Sequence, residues 1–304
     1  MTPEQVQAEL MDGVTVRTLI ELGVLTERGG ASPSARRKVK QVNHLLNQMN
    51  ASLTDLFERH EDPVIVDMGA GRATASLALY DRWIRPRGRG RLLAVESRAD
   101  IAEKVRAKTG PDYPRFEMIT GAALTAELPE RVHLVFALHA CDLATDHAIA
   151  RALKGRADYV ALVPCCQAEF ARALKSASAQ IKRADERRDG DQVGSALGAL
   201  WGASHHRREF GAHLTNVCRC LALRAAGYTV STTELIGWEH SMKNELIIGR
   251  RVGRFHRGAQ RELDALLAQL GLAESVDETT QMLAHTPWLI TELEGLIASR
   301  DETP

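Results

Sequence analysis

Short apolar runs typical of buried strands alternate along the chain with longer segments in which apolar residues recur at helical spacing. In chain order the predicted strands are PVIVDM, RLLAVES, PRFEMIT, RVHLVFAL, YVALVP, YTVSTTELI and ELIIGRRV. Because strands that alternate with helices are typical of parallel βαβ units, the pattern predicts an α/β fold with a doubly wound, mostly parallel seven-stranded sheet. We expect the last two strands to form an antiparallel pair at one edge.

The same pattern predicts helical segments on both sides of this core. Residues 1–33 are interpreted as a helical lead-in, residues 34–254 as the main domain and residues 255–304 as a helical tail. Within the main domain, one continuous helix is predicted over residues 34–59, because its apolar positions keep the helical period. Residues 183–208 are polar and rich in glycine, which favours a lid-like insertion.

The composition of the chain argues against several classes of protein. The 304 residues are 44% hydrophobic, enough for a sizeable core, and 39 basic residues balance 39 acidic ones, so net charge does not indicate a polyanion-binding chain. No apolar run reaches the length of a membrane span, and the N-terminal residues lack the layout of a signal peptide. An odd number of cysteines, five, argues against a secreted disulfide framework, so we expect a cytoplasmic protein with reduced thiols.

A glycine-rich turn follows the first predicted strand, in VIVDMGAGRATASLAL. Asp67 ends the strand, Gly69 and Gly71 form the turn, and a helix is predicted to begin near Arg72. Two glycines let the backbone approach a ligand that side chains would exclude. A dinucleotide site would have a third glycine at position 74, where the residue is Thr74. The order of acid and glycines, D-x-G-x-G, is instead similar to that of class I S-adenosylmethionine-dependent methyltransferases.

Glu96, at the end of the second predicted strand, adds to this pattern. A carboxylate at that position can accept hydrogen bonds from both ribose hydroxyls of an adenosyl ligand. In the alternative interpretation, Asp67 only caps the following helix and Glu96 is a solvated strand end.

Reactive side chains follow the fourth and fifth predicted strands, in LHACD and VPCCQ. Because ligands of parallel sheets bind beyond the carboxyl ends of the strands, we expect both segments to border one cleft. His139 is a candidate general base, and Asp142 could orient either the histidine or an amine. The cysteines, Cys141, Cys165 and Cys166, could line the pocket, act as thiolates, bind zinc together with the histidine, or be inert core residues. Thr145 or Asp146 is the expected N-cap of the next helix, with a catalytic Asp146 as the alternative.

Four segments together resemble the methyltransferase domain of one family: VIVDMGAGRATASLAL, LHACDLATDHAI, VPCCQAEF and MKNELIIGRR. That family contains the methyltransferase-like 25 proteins, the glutathione S-transferase C-terminal-domain-containing protein and many bacterial relatives. It is distantly related to the tRNA acceptor-stem 2′-O-methyltransferase. The resemblance extends over about residues 34–251 and includes the basic helix RRKVKQVNHLL.

The resemblance implies a Rossmann-like fold, methyl transfer and S-adenosyl-L-methionine as the cofactor. Leu138 is predicted to contact the cofactor, and the resemblance assigns four further residues to it: Asp67, Gly69, Gly71 and Glu96. It assigns six to the reaction pocket: His139, Cys141, Asp142, Cys165, Cys166 and Gln167. The chain departs from the family at Ala168, where relatives often have a histidine. It also lacks an acid in ITGAAL after the third strand, so backbone groups near Gly121–Ala123 would have to hold the adenine.

The acceptor of the methyl group is left open by the sequence. The resemblance suggests RNA, either tRNA or rRNA, and three basic clusters could neutralise phosphates: Arg36, Arg37, Lys38 and Lys40; Lys182, Arg183, Arg187 and Arg188; Arg207 and Arg208. Such clusters are also typical of solvated helix faces, and aromatic residues make up only 5% of the chain. The alternatives are a protein or small-molecule acceptor, and a donor-binding module without catalysis.

Overall fold

The computed structural model describes most of the chain between residues 13 and 296. The described residues are 13–26, 30, 32–138, 140, 143–164, 169–175, 202–235, 245–270, 272, 288–289, 292–293 and 295–296. No helix among them is both long and apolar enough to cross a bilayer.

A seven-stranded sheet forms the centre of the molecule, as predicted. Its strands are β1 (Val64–Met68), β2 (Arg91–Glu96), β3 (Phe116–Thr120), β4 (Leu134–Leu138), β5 (Tyr159–Val163), β6 (Tyr228–Glu234) and β7 (Glu245–Arg251). They lie in the order β3-β2-β1-β4-β5-β7-β6. The first five are parallel, and β7 is antiparallel to both β5 and β6, which confirms the predicted antiparallel pair at the edge.

Helices cover both faces of the sheet. They are α1 (Val16–Glu21), α2 (Pro33–Gln48), α3 (Asn50–Arg59), α4 (Thr74–Leu79), α5 (Ala99–Thr109), α6 (Leu143–Lys154), α7 (Ser204–Ala225) and α8 (Arg257–Gln269). A π-helical turn, Tyr80–Ile84, extends α4. Residues 204–208, predicted as part of the lid-like insertion, belong to α7 instead, and residues 176–201 lie outside the described part of the chain.

The single helix predicted over residues 34–59 is two helices. The chain bends at Met49, whose ψ of −6° departs from the helical value before α3 begins at Asn50. Met49 is buried and remains in the apolar stripe that joins Leu46 to Leu53. Because the apolar period continues through the bend, the sequence pattern could not reveal it.

Alternation along the strands divides the core into two layers. Leu93, Val135 and Ile247 face the layer that contains α6, α7 and α8. Leu92 and Phe136 face the layer that contains α1 to α5. Both layers hold fully buried side chains, so the sheet is covered on each face, as expected for parallel strands.

The first helix is fixed to the main body by a buried carboxylate. Asp81, in the π-helical turn, accepts hydrogen bonds from the backbone N–H of Thr15 at 3.0 Å and from the hydroxyl of Thr18 at 2.5 Å. Leu19 of α1 is completely buried in the same layer. At the other end of the chain, α8 buries Leu263 against the opposite layer. Both predicted extensions therefore contribute to the core.

A charged cluster lies at the amino ends of the central strands. Asp158, just before β5, is 2% exposed, and its carboxylate accepts a hydrogen bond from Arg131 Nη2 at 2.5 Å. His60 Nε2 lies 3.0 Å from the same carboxylate, and guanidinium nitrogens of Arg59 and Arg251 each approach to 3.6 Å. One buried acid therefore joins the end of α3, the entry to β4 and the end of β7.

Gly227, between α7 and β6, is a position at which the backbone cannot accept a side chain. Its φ is +84°, and a Cβ atom would lie within 2.6 Å of the carbonyl oxygen of Arg254 and closer still to that of Gly253. Gly88 has a similar φ of +60°, but no atom lies within 4 Å of a Cβ added there.

We expect Gly227→Ala to lower the free energy of unfolding by about 3 kcal/mol or more, because steric overlap adds to the strain of a left-handed backbone. Gly88→Ala, which adds only the strain, should cost roughly 1–2 kcal/mol. Urea denaturation of both variants measures the difference. Equal losses would show that the contacts around Gly227 rearrange without cost.

Candidate functional site

The turn after β1 contains three residues with left-handed backbone conformation. The φ angles are +74° at Gly69, +57° at Gly71 and +56° at Ala73. The backbone N–H groups of Gly69 and Ala70 both donate to the carbonyl oxygen of Val95 at 2.9 Å, which fixes the turn against the end of β2. Left-handed backbone favours glycine because a Cβ clashes with the following carbonyl. Helix α4 begins directly afterwards, at Thr74.

Neighbouring protein atoms leave room for a Cβ at both glycines of the turn. At Gly69 it would lie 3.8 Å from Cβ of Ala140, which is ordinary contact. At Gly71 it would lie 3.9 Å from Arg98 Nη2 and 4.0 Å from Glu96 Oε2. Backbone conformation is thus what requires glycine here, and a side chain at Gly71 would extend in front of the Glu96 carboxylate.

Glu96 is buried, 4% exposed, and is not the solvated strand end of the alternative interpretation. One carboxylate oxygen accepts the backbone N–H of Gly71 at 2.8 Å and Arg98 Nη2 at 3.2 Å. The other accepts the backbone N–H of Arg98 at 3.0 Å and its Nε at 2.9 Å. Burial alone would raise the pKa of Glu96, but the bonds and charge of Arg98 and the Gly71 N–H outweigh it and lower the pKa.

Asp67 is 2% exposed and accepts a hydrogen bond from the Ser76 hydroxyl at 2.5 Å. The N-cap of α4 is Ala73, with no side-chain cap, so the alternative in which Asp67 caps the helix is wrong. Burial raises the pKa of Asp67 to about 7, and the charge of Glu96 adds to this rise. The Ser76 hydrogen bond and the charge of Lys38 act in the opposite direction. Small changes in nearby charge can therefore change its ionisation near neutral pH.

Strand alternation places Asp67, Glu96 and Leu138 on the same face of the sheet, at or next to the carboxyl ends of β1, β2 and β4. Ala140, two residues after Leu138, is buried against Gly69. Ala140 therefore lies close to the glycine turn. Gly121, one of the residues expected to hold an adenine, already donates its N–H to the backbone oxygen of Glu96 at 3.0 Å.

Helix α2 places a positive charge, that of Lys38, near the glycine turn. Lys38 is solvent-accessible but stands close enough to protein atoms that desolvation lowers its pKa. The charge of Arg72 lowers that pKa further, and the charge of Asp67 raises it. Lys38 is therefore electrostatically coupled to both ends of the glycine turn.

A cavity of about 350 Å³ lies beside the glycine turn, between α1, α4 and α5. Leu22, Leu77 and Val105 form part of its apolar wall, and Lys104 is on its rim. Arg72 is the one turn residue that borders it. The cavity therefore lies next to Asp67 and Glu96, but neither carboxylate lines it.

The predicted reaction-pocket residues lie outside the described part of the chain. They are His139, Cys141, Asp142, Cys165, Cys166 and Gln167. No group of three or more potential metal ligands occurs among the described residues, and the proposed zinc ligands are not among them. The remaining cysteines, Cys218 and Cys220, are free thiols in α7, and burial raises the pKa of each to about 12.

Neither Thr145 nor Asp146 caps α6, contrary to the prediction. The helix begins earlier, at Leu143, so both residues lie within its first turn. The Thr145 hydroxyl donates to the carbonyl oxygen of Ala140 at 2.8 Å. Asp146 is buried and forms a two-bond ion pair with Arg219 of α7, with both distances 2.7 Å.

This ion pair belongs to a network that sequence patterns did not indicate. Arg219 Nη1 donates to Asn216 Oδ1 at 3.3 Å, and Asn216 Nδ2 donates to Glu245 Oε2 at 2.6 Å. The positions are far apart in sequence, and Arg219 lies in an amphipathic helix where a solvated position would have been the ordinary expectation. Only the position of Asn216 three residues before Arg219 indicates that these two side chains share a helix face.

The geometry near β1 combines a buried carboxylate of low pKa, a left-handed turn with backbone N–H groups, and a second acid whose pKa is near 7. Such a set can hold hydroxyl groups at Glu96 and a cationic group near Asp67. It has no arrangement suited to cradling two phosphates, because the third glycine of a dinucleotide site is replaced by Thr74.

A family model described as "Methyltransferase domain" matches residues 37–173. The match covers less than half of the chain but includes β1 to β5 and the glycine turn. No curated protein matches the sequence.

Solved structures with a related fold are distant. The Methanococcus jannaschii fibrillarin pre-rRNA processing protein is 12% identical, covering 64% of this chain and 68% of that one, with a TM-score of 0.36. The 23S rRNA methyltransferase ErmE is 16% identical over 73% and 75% of the two chains, with a TM-score of 0.38. A SAM-dependent methyltransferase from Aquifex aeolicus is 12% identical over 83% and 100%, with a TM-score of 0.36. These likenesses are too low to indicate an acceptor.

The family match, the seven-stranded sheet and the acid-glycine turn lead to one conclusion about the class of enzyme. The protein is an S-adenosylmethionine-dependent methyltransferase with a Rossmann-like α/β domain and helical extensions.

Proposed function

We propose that this enzyme methylates RNA, and that it belongs to the family of methyltransferase-like 25 proteins that its sequence motifs resemble. The observation that carries the RNA proposal is the charge of α2, which borders the donor side of the molecule. The bound donor would supply an electrophilic methyl group, and the chain would supply the surfaces that hold donor and acceptor in line.

The donor's ribose is proposed to bind at Glu96. The carboxylate is buried at the end of β2 and held in its ionised form. Two ribose hydroxyls would replace the two bonds that the Arg98 side chain donates to it, one to each oxygen. Glycine at position 71 keeps a side chain away from this carboxylate, since an added Cβ would lie 3.9 Å from Arg98 Nη2 and 4.0 Å from Glu96 Oε2. The residues present therefore fit an adenosyl ligand, with the glycine turn beside it and Leu138 on the same sheet face.

Asp67 is proposed to stabilise the positive charge of the bound donor. Its carboxyl group is buried behind the turn, and its pKa of about 7 leaves it partly neutral at neutral pH. A sulfonium cation nearby would stabilise the ionised form of this acid. The remaining assigned residues, from His139 to Gln167, are proposed to border the transferred methyl group, since they follow β4 and β5.

The acceptor RNA is proposed to bind along α2. This helix contains Arg36, Arg37, Lys38 and Lys40 and has no acidic residue over its 16 positions. Arg37, Lys38 and Lys40 are exposed, and Arg36 is half-buried. A solvated helix face usually mixes both signs of charge, whereas an unbalanced basic face next to the donor site can neutralise phosphates.

The acceptor class is tested by incubating the purified enzyme with methyl-labelled donor and fractionated cell extract. We expect label in the RNA fraction. Label that enters only protein or small molecules would replace RNA with that acceptor class, and donor binding without any transfer would favour a non-catalytic module.

Charge reversal on α2 tests the RNA surface. Arg37→Glu with Lys40→Glu should weaken binding of a total tRNA fraction by at least about tenfold in a gel shift at low salt, because two phosphate contacts are lost. The matched control is Arg257→Glu with Arg261→Glu, on exposed positions of α8 at the opposite sheet face. Equal weakening by both double variants would show that only net charge matters.

Donor binding tests the cofactor site. Gly71→Val should reduce affinity for S-adenosylmethionine more than about a hundredfold, because the side chain blocks the Glu96 carboxylate and overlaps bound ligand. Gly88→Val is the control, since it adds the same group to a left-handed residue with no neighbour within 4 Å. Isothermal titration calorimetry measures both. Unchanged affinity in Gly71→Val would exclude this turn from the donor site.

The pKa of Asp67 predicts a pH dependence. A cationic donor favours the ionised acid, so its bound-state pKa falls below the free-state value of about 7. Affinity should therefore increase as pH rises from 6 to 7 and level off above, by up to about tenfold for each unit of pKa shift. The range stays below pH 7.5 so that the donor's amino group remains charged. Calorimetry on Asp67→Asn should give a flat profile, and a flat profile in the unmodified enzyme would contradict the role.

A further inference from the structure

We propose that Glu245 recognises the base of the acceptor RNA, and that the buried chain Asp146–Arg219–Asn216 positions it. The inference rests on the proposed function, because it assigns part of the acceptor site of that reaction.

The network starts from an inaccessible ion pair. Arg219 is 1% exposed, and its Nε and Nη2 donate to the two oxygens of Asp146 at 2.7 Å each. Replacing such a buried pair by well-packed apolar residues is often neutral or stabilising, so stability alone is a weak explanation for it. Its rigid geometry instead fixes α7 against the first turn of α6, which follows the carboxyl end of β4.

The ion pair determines how Asn216 is oriented. Arg219 has only donors, so the amide oxygen of Asn216 must face it, at 3.3 Å from Nη1. The amide NH₂ group then points to Glu245, and its nitrogen lies 2.6 Å from Oε2. A carboxylate that accepts this bond is held in one orientation and keeps its other oxygen for a further donor.

Glu245 lies at the edge of the sheet where methyl transfer is proposed. It is the first residue of β7, and Leu162 of β5 pairs with Ile247 two positions later. Because the two strands are antiparallel, Glu245 stands beside Pro164, directly before the predicted VPCCQ pocket residues. The residue is half-buried, and its carboxylate is held by the Asn216 amide.

The chemistry of a carboxylate selects the part of an RNA that it can bind. Phosphates are repelled, whereas amino and imino N–H groups on the edge of a nucleobase donate to it. The basic face of α2 would therefore bind the phosphates of the RNA, and Glu245 would accept a hydrogen bond from the base that is to be methylated.

Steady-state kinetics with the labelled RNA fraction test this role. Glu245→Ala should raise KM for RNA by about tenfold or more, which corresponds to the loss of one base contact, while donor affinity measured by calorimetry stays unchanged. Glu103→Ala is the control, because Glu103 is an exposed glutamate on α5, a helix that does not pack on β7. It should leave KM unchanged.

Asn216→Asp separates positioning from folding. The aspartate can still accept the bond from Arg219, but it has no N–H for Glu245 and places a second carboxylate against it. KM for RNA should therefore rise about as much as in Glu245→Ala, while donor affinity stays unchanged. A purely structural role would lower thermal stability and leave KM for RNA unchanged.

Each outcome bears on a defined part of the proposal. If the unmodified enzyme labels RNA and Glu245→Ala has normal KM, or loses only kcat, base recognition by Glu245 is wrong and the proposed function stands. If the enzyme binds donor but labels protein or no fraction, the RNA proposal fails first, and the recognition of a base fails with it.

Discussion

The hydrogen bond between the Gly71 N–H and the Glu96 carboxylate joins the turn after β1 to the end of β2, the two parts of the proposed donor site. It requires a left-handed residue after β1 and a buried acid at the end of β2, and each condition depends on the other. If the backbone were not left-handed, the N–H would point away. If the acid were absent, the turn would bury an unsatisfied donor. The glycine turn is therefore a structural element in its own right.

The carboxyl edge of the sheet contains two polar arrangements on opposite faces. Asp67 and Glu96 face the layer of α2 and α4, whereas Glu245 faces the layer of α6 and α7. In the sequence, the predicted pocket residues follow β4 and β5, the two strands between β1 and β7 in the sheet. The proposals assign the donor to the first arrangement and the acceptor to the second.

The strands could be predicted from the sequence, because their apolar runs are short and are separated by segments with a clear helical period. The sequence was also sufficient for the acid-glycine turn, since the residue types there are tied to backbone conformation. It was insufficient at Met49, where the apolar period hides a bend, and at α6, where an earlier start moved Thr145 and Asp146 off the cap. The Arg219 network could not be predicted, because it joins residues of α6, α7 and β7 that only tertiary packing brings together. The residues from His139 to Gln167 remain a prediction.

The charged cluster around Asp158 gives the opposite edge of the sheet a different thermal behaviour from the apolar core. Desolvation of charged groups becomes less costly as temperature rises, whereas the stabilisation per unit of buried apolar area levels off. The amino edge, where one carboxylate gathers Arg131, His60 and two further guanidinium groups, should thus lose less of its stability on warming than the apolar layers do. Because Asp158 is buried, added salt should screen these ion pairs less than it screens ion pairs on the surface.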